Sequence, residues 1–207
     1  GETKYTLSKN EPFTLMTLDG TENIVINGIE FADAKTGIAI VNGRDNQIQN
    51  CAFRRTAGEA VVLEGSYNGM IYCVVEDLES RYSVSLTDRR HESIPDEIGE
   101  KPSTDFRELV PQRNYVQNCE FYGNSTMWVC YAQSCIISHN KFDTTMCAVN
   151  LYHSIECIIE YNDFVANKYT TNDMGIIYVN GAPEGRGNHI RCNYMHRDAN
   201  VGYTAWD

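Results

Sequence analysis

Apolar residues recur along this chain at a spacing far longer than one helix turn. The stretch "IQNCAF" (48–53) returns as "VQNCEF" (116–121), and more loosely as "IISHNKF" (136–142) and "IIEYNDF" (158–164). Taking the last aromatic or apolar residue of each copy as an anchor gives Phe31, Phe53, Val75, Phe121, Phe142, Phe164 and Met195, separated by 22, 22, 46, 21, 22 and 31 residues. A unit near 22 residues that tolerates insertions is the mark of stacked repeats. Five residues before each anchor stand Ile26, Ile48, Met70, Val116, Ile137, Ile159 and Ile190. Two before stand Ile29, Cys51, Cys73, Cys119, Asn140, Asn162 and Asn193, and seven before stand Ile24, Asn46, Asn68, Asn114, Cys135, Cys157 and Asn188.

The columns predict local structure. Anchor and minus-two share the period of a strand, as do minus-five and minus-seven. Two residues instead of one separate minus-five from minus-two, so the alternation breaks there. In "IQNCAF" the pair is Gln49 and Asn50, which predicts a polar corner between two short strands. A third strand follows the anchor in "GIAIV", "AVVLE", "SVSLT", "WVCYA", "AVNLY" and "GIIYV". Three short strands per repeat make one coil of a parallel β-helix. No stretch keeps apolar residues at i, i+3, i+4 and i+7 beyond a turn or two, which excludes a helical reading. The expected fold is all-β: a right-handed parallel β-helix of about seven to eight coils of ~22 residues in one domain spanning 1–207.

Stacked coils bring each column into register about 4.8 Å apart. An inward Asn can then hydrogen-bond to its copies above and below, so Asn140, Asn162 and Asn193 are expected to form a ladder. Cys51, Cys73 and Cys119 fill the same column as small free core thiols, because a disulfide between directly stacked parallel strands would be strained. With no CxxC among the eight cysteines, a zinc knuckle is not expected. Free thiols point to a reducing or anaerobic setting, although a secreted parent protein stays open. The net charge of -11 argues against nucleic acid, and no run approaches the ~18 apolar residues of a membrane span.

Candidate chemistry lies where the repeat is interrupted. A long loop at 87–113, "TDRRHESIPDEIGEKPSTDFRELVPQR", leaves the third strand of its coil and returns before the next inward Asn. It reads either as a solvated loop or as a wall over a groove, with Asp88 and Arg89 as candidate substrate contacts. The second interruption, the irregular coil 165–188, puts Asp173 before the strand "MGIIYV" and Glu184 and Arg186 after it. His153 ends the equivalent strand one coil earlier, so Asp173, His153, Arg186 and Tyr178 are expected along one edge.

The stretches "LDGTENIVINGIEF", "NQIQNCAFRRTAGEAVVLEGS", "VSLTDRR" and "NDMGIIYVNGAPEGRGNHIRCNYMHRD" resemble parallel β-helix proteins of bacterial carbohydrate metabolism, and glycoside hydrolase family 141 in particular. The resemblance implies action on an oligo- or polysaccharide without a cofactor. It makes Asp173 a catalytic carboxylate and His153, Tyr178, Glu184, Arg186, His196, Asp88 and Arg89 sugar contacts, with no metal site. It also implies an internal fragment, inactive alone, whose second catalytic Asp lies on a coil beyond residue 207 and whose uncapped ends can self-associate. Two other readings share the fold. One is a polysaccharide lyase or epimerase, for which calcium would be expected. The other is a non-catalytic, glycan-binding or adhesive solenoid, in which exposed aromatics such as Tyr131, Tyr152, Tyr178 and Trp206 stack on sugar.

Overall fold

The computed structural model describes residues 13–80, 82–87, 112–123, 125–144, 147–166, 175–180 and 185–197. These residues form three parallel sheets of seven strands each, wound as seven three-strand coils. The first sheet contains Thr14–Asp19, Thr36–Arg44, Val61–Ser66, Tyr82–Thr87, Thr126–Cys130, Val149–Tyr152 and Ile177–Asn180. The second contains Val25–Asn27, Gln47–Gln49, Gly69–Ile71, Tyr115–Gln117, Ile136–Ser138, Ile158–Glu160 and His189–Arg191. The third contains Glu30–Ala32, Ala52–Arg54, Val74–Glu76, Glu120–Gly123, Lys141–Thr144, Asp163–Ala166 and Tyr194–Arg197. The chain is a parallel β-helix.

The anchors stack as expected. Phe31, Phe53, Val75, Phe121, Phe142, Phe164 and Met195 are successive register partners in the third sheet. Their rings lie nearly parallel, at 5.2 Å for Phe31–Phe53, 4.7 Å for Phe121–Phe142 and 5.0 Å for Phe142–Phe164. Each such pair adds about 0.5–1.5 kcal/mol beyond the burial of its area. The minus-five residues, from Ile26 to Ile190, form the matching column of the second sheet.

Each coil turns twice through a left-handed residue. Gly28, Asn50, Tyr72, Asn118, His139, Tyr161 and Cys192, three before each anchor, all have φ between 52 and 72°. Asn23, Asp45, Tyr67, Arg113, Ser134, Glu156 and Gly187, eight before, have φ between 53 and 73°. The corner in "IQNCAF" is therefore made by Asn50 alone, since Gln49 still belongs to its strand. Gly and Asn enter this conformation easily, whereas Tyr72, His139 and Tyr161 cost about 1–2 kcal/mol each.

Beside these corners run two ladders, not one. At minus-two, the Asn162 amide donates to Asn193 Oδ1 at 3.0 Å and to the Ile137 carbonyl at 3.0 Å, while its own Oδ1 accepts from the Asn140 backbone N–H at 2.9 Å and side-chain amide at 3.0 Å. At minus-seven, the Asn46 amide donates to Asn68 Oδ1 at 3.0 Å, and the Asn68 N–H donates to Asn114 Oδ1 at 2.8 Å. Cysteine replaces Asn in a complementary way: coils two to four pair Asn46 with Cys51, Asn68 with Cys73 and Asn114 with Cys119. Coils five and six reverse the order with Cys135 and Asn140, then Cys157 and Asn162. The thiols keep the ladder going. The Cys51 N–H donates to Cys73 Sγ and the Cys73 N–H to Cys119 Sγ, both at 3.4 Å.

All eight cysteines are free, and Cys192 alone is exposed. Burial pushes the Cys51 and Cys119 thiols above their ordinary range, which keeps them protonated and unreactive. A thiol reagent is expected to titrate one equivalent in the native protein, absent in Cys192→Ser, and all eight in denaturant.

The ladder predicts unequal costs along one column. Asn162→Ala strands two donors of Asn140 and should lower stability by about 3 kcal/mol in a denaturant titration. Asn140→Cys copies the substitution that the column already carries and should cost roughly 1 kcal/mol.

Candidate functional site

Alternation in the first sheet sends every second side chain outward. Val84, Leu86, Met127, Val129, Val149 and Leu151 point into the core. Ser85, Thr87, Trp128, Cys130, Asn150 and Tyr152 therefore face out. Register sets Ser85, Trp128, Asn150 and Tyr178 in one outward column, in consecutive coils. Thr87, Cys130 and Tyr152 form the next column along the same strands.

Rings dominate this face. Tyr82 and Trp128 are 5.0 Å apart and tilted by 47°, and Trp128 stacks on Tyr152 at 5.5 Å and 20°. Tyr152 meets His153 edge-on at 4.2 Å, and His153 stacks on Tyr131 at 5.0 Å with planes 3° apart. Five rings thus run without a break from one border of the sheet to the corner beyond it. Tyr131 and His153 hold left-handed backbone angles, φ 52 and 47°, which cost about 1–3 kcal/mol each unless surroundings compensate. Their mutual stacking supplies part of that compensation.

One polar group in this setting is unmet. Asn150 is only 5% exposed, yet its Oδ1 has no hydrogen-bond partner among the described residues. The buried hydroxyl oxygens of Ser83 and Ser125, at the entries of two strands of this sheet, also lack partners among the described residues. An orphaned buried acceptor costs about 1–3 kcal/mol. Asn150 stands between Trp128 and Tyr178 in its column, and Ser85 Oγ donates to Glu59 Oε1 at 3.4 Å beside them. The face can therefore accept a ligand with flat C–H surfaces for the rings and an O–H or N–H donor for Asn150.

The residues anticipated from sequence fall in different places. Asp173, Glu184, Asp88 and Arg89 lie outside the described residues, as does Trp206. Tyr178 joins the outward column of Asn150, and His153 follows the strand Val149–Tyr152 on the same side of the molecule. His153 and Tyr131 are buried, at 5% and 4% exposure. Tyr131 is thus not the exposed aromatic that the sequence suggested; it packs beneath Tyr152 and His153. Arg186 is exposed, and its carbonyl accepts from the Glu156 N–H at 3.0 Å at the corner between the first and second sheets. His196 sits on the third sheet, where its Nε2 lies 3.0 Å from Asp163 Oδ1, so it is separate from the aromatic face. Sequence reasoning missed Trp128, Tyr82 and Asn150, although the alternation in "MWVCYA" and "AVNLY" already points Trp128 and Asn150 outward.

A family model described as "Periplasmic copper-binding protein (NosD)" matches residues 14–206, from the first strand past the last. No curated protein matches the chain. Copper favours thiolate, thioether and imidazole donors. Among the described residues, no three His, Cys, Asp or Glu side chains gather as a metal site. The stacked thiols of Cys51, Cys73 and Cys119 instead lie 3.2 Å from the carbonyls of Gln49, Ile71 and Gln117, as S–H donors. His139, His153, His189 and His196 occupy the second-to-third-sheet corner, the first-to-second-sheet corner, the second sheet and the third sheet respectively. The described His, Cys, Asp and Glu side chains do not form a copper centre. Fold, coil columns and the span of the match agree: the chain belongs to the NosD family of β-helix proteins.

Proposed function

We propose that this protein is a glycan-binding β-helix that holds an oligo- or polysaccharide against the outer face of its first sheet. The observation that supports this most directly is the buried, unpartnered Asn150 Oδ1 between Trp128 and Tyr178. Sugars combine C–H faces, which lie flat on aromatic rings, with hydroxyl donors at their edges. The row Tyr82–Trp128–Tyr152 offers the first partner and Asn150 the second.

The catalytic form of this reading assigns hydrolysis to Asp173; binding at the aromatic face does not depend on that residue. We take the family description to suggest a periplasmic site of action, and seven buried thiols are compatible with it because oxidants do not reach them. Copper chemistry is not part of the proposal.

Two substitutions test the reading in calorimetric titrations with an oligosaccharide panel. Trp128→Ala should weaken binding by about tenfold or more, as expected for an aromatic anchor. Asn150→Leu should abolish binding while raising the melting temperature by about 2–4 °C, because it removes an unmet buried acceptor. Stability and affinity moving in opposite directions marks a binding residue; loss of both, or of neither, would sink the proposal.

A further inference from the structure

The charges around the aromatic row narrow the ligand further, an inference that rests on the glycan-binding reading above. We infer that the bound glycan is uncharged: a chain of neutral or N-acetylated sugars, not a uronate or sulfated polysaccharide.

Glu59 is tied to the row through Ser85, the register neighbour of Trp128. A carboxylate therefore accompanies the rings. Within the seven described strands of the first sheet the single cationic side chain is Arg44. Arg44 is already engaged, with Nε 3.1 Å from Asp45 Oδ2 and its guanidinium over the Tyr67 ring at 5.5 Å. It ends the strand Thr36–Arg44, three strands away from Trp128 in the sheet order.

A polyanionic sugar would bring a carboxylate or sulfate beside Glu59 in a partly water-excluded setting. There, like charges repel more strongly than in bulk water. The whole chain, at net charge -11, adds to the repulsion at long range. What the face does demand is a donor for Asn150 Oδ1, and a hydroxyl or acetamido N–H meets that demand without adding charge.

The test is a set of calorimetric titrations of the full chain at low salt with oligosaccharides of matched length. Xylo-, cello- and chito-oligosaccharides form the neutral arm, and oligogalacturonate and heparin fragments the anionic arm. At least one neutral ligand should bind about tenfold or more tightly than any anionic one, and that binding should vanish in Asn150→Leu. Glu59→Gln should narrow the gap by improving the anionic arm, with thermal melting used to verify that the variant is folded. Equal or tighter binding of an anionic oligosaccharide, lost in Asn150→Leu, overturns the charge assignment and leaves the glycan-binding reading standing. If neither arm binds in a manner sensitive to Asn150→Leu, the glycan-binding reading falls, and this inference with it.

Discussion

Everything in this molecule depends on satisfying the backbone at two inner corners of each coil. A corner breaks the ladder of its sheet, so N–H and C=O groups there face the interior without a strand partner. The side chain of the next coil supplies the acceptor. Asn162 alone joins three coils, through Asn140 before it and Asn193 after it. Where Cys replaces Asn, the sulfur accepts the same N–H over a longer reach, 3.4 Å against 2.9 Å. In coils two to six, each coil carries one residue of each kind, and the order reverses between Cys119 and Cys135. The polar reach of Asn and the small volume of Cys are thus balanced within every one of these coils.

A core this strictly registered leaves the outward positions free to vary, and the first sheet uses that freedom. Because Met127, Val129, Val149 and Leu151 are fixed inside, Trp128, Asn150 and Tyr152 are held at strand spacing outside. The left-handed Tyr131 and His153 carry strain of a kind that concentrates at working surfaces. For the copper named by the family description, no three His, Cys, Asp or Glu side chains gather among the described residues. A shared coil geometry does not imply a shared ligand.

The fold was legible because inward residues repeat. Phe, Ile and Asn columns at fixed offsets reveal coil length, strand period and corner position from residue identity alone, and every anchor found its register partner. The minus-seven ladder was visible as a column but harder to interpret, since Cys135 and Cys157 interrupt its asparagines. The left-handed corners were legible at Gly28, Asn50 and Asn118, whose residue types favour them, and hidden at Tyr72, His139 and Tyr161, the last two of which stack on each other across coils. The site was harder still. Outward columns carry no repeat, so Trp128 and Asn150 stand out only once register shows who their neighbours are. The sequence drew attention to interruptions, and Asp88, Arg89, Asp173 and Glu184 all fall in them, outside the described residues.

The buried thiols make time of folding as important as the folded state. Seven of them are sealed once the coils are stacked, and no oxidant reaches them. Before stacking, the same seven lie on a loose chain in which any two can meet, and an oxidising medium would join them in pairs that no coil can accommodate. Successive coils make mostly nearest-neighbour contacts, so stacking can spread from a formed coil to the next without long-range search. Coils two to four each close one cysteine away, and coils five and six two each. In such a medium the chain must wind faster than it is oxidised, and a mutation that merely slows winding would appear as cross-linked, misfolded protein although the native state lost nothing.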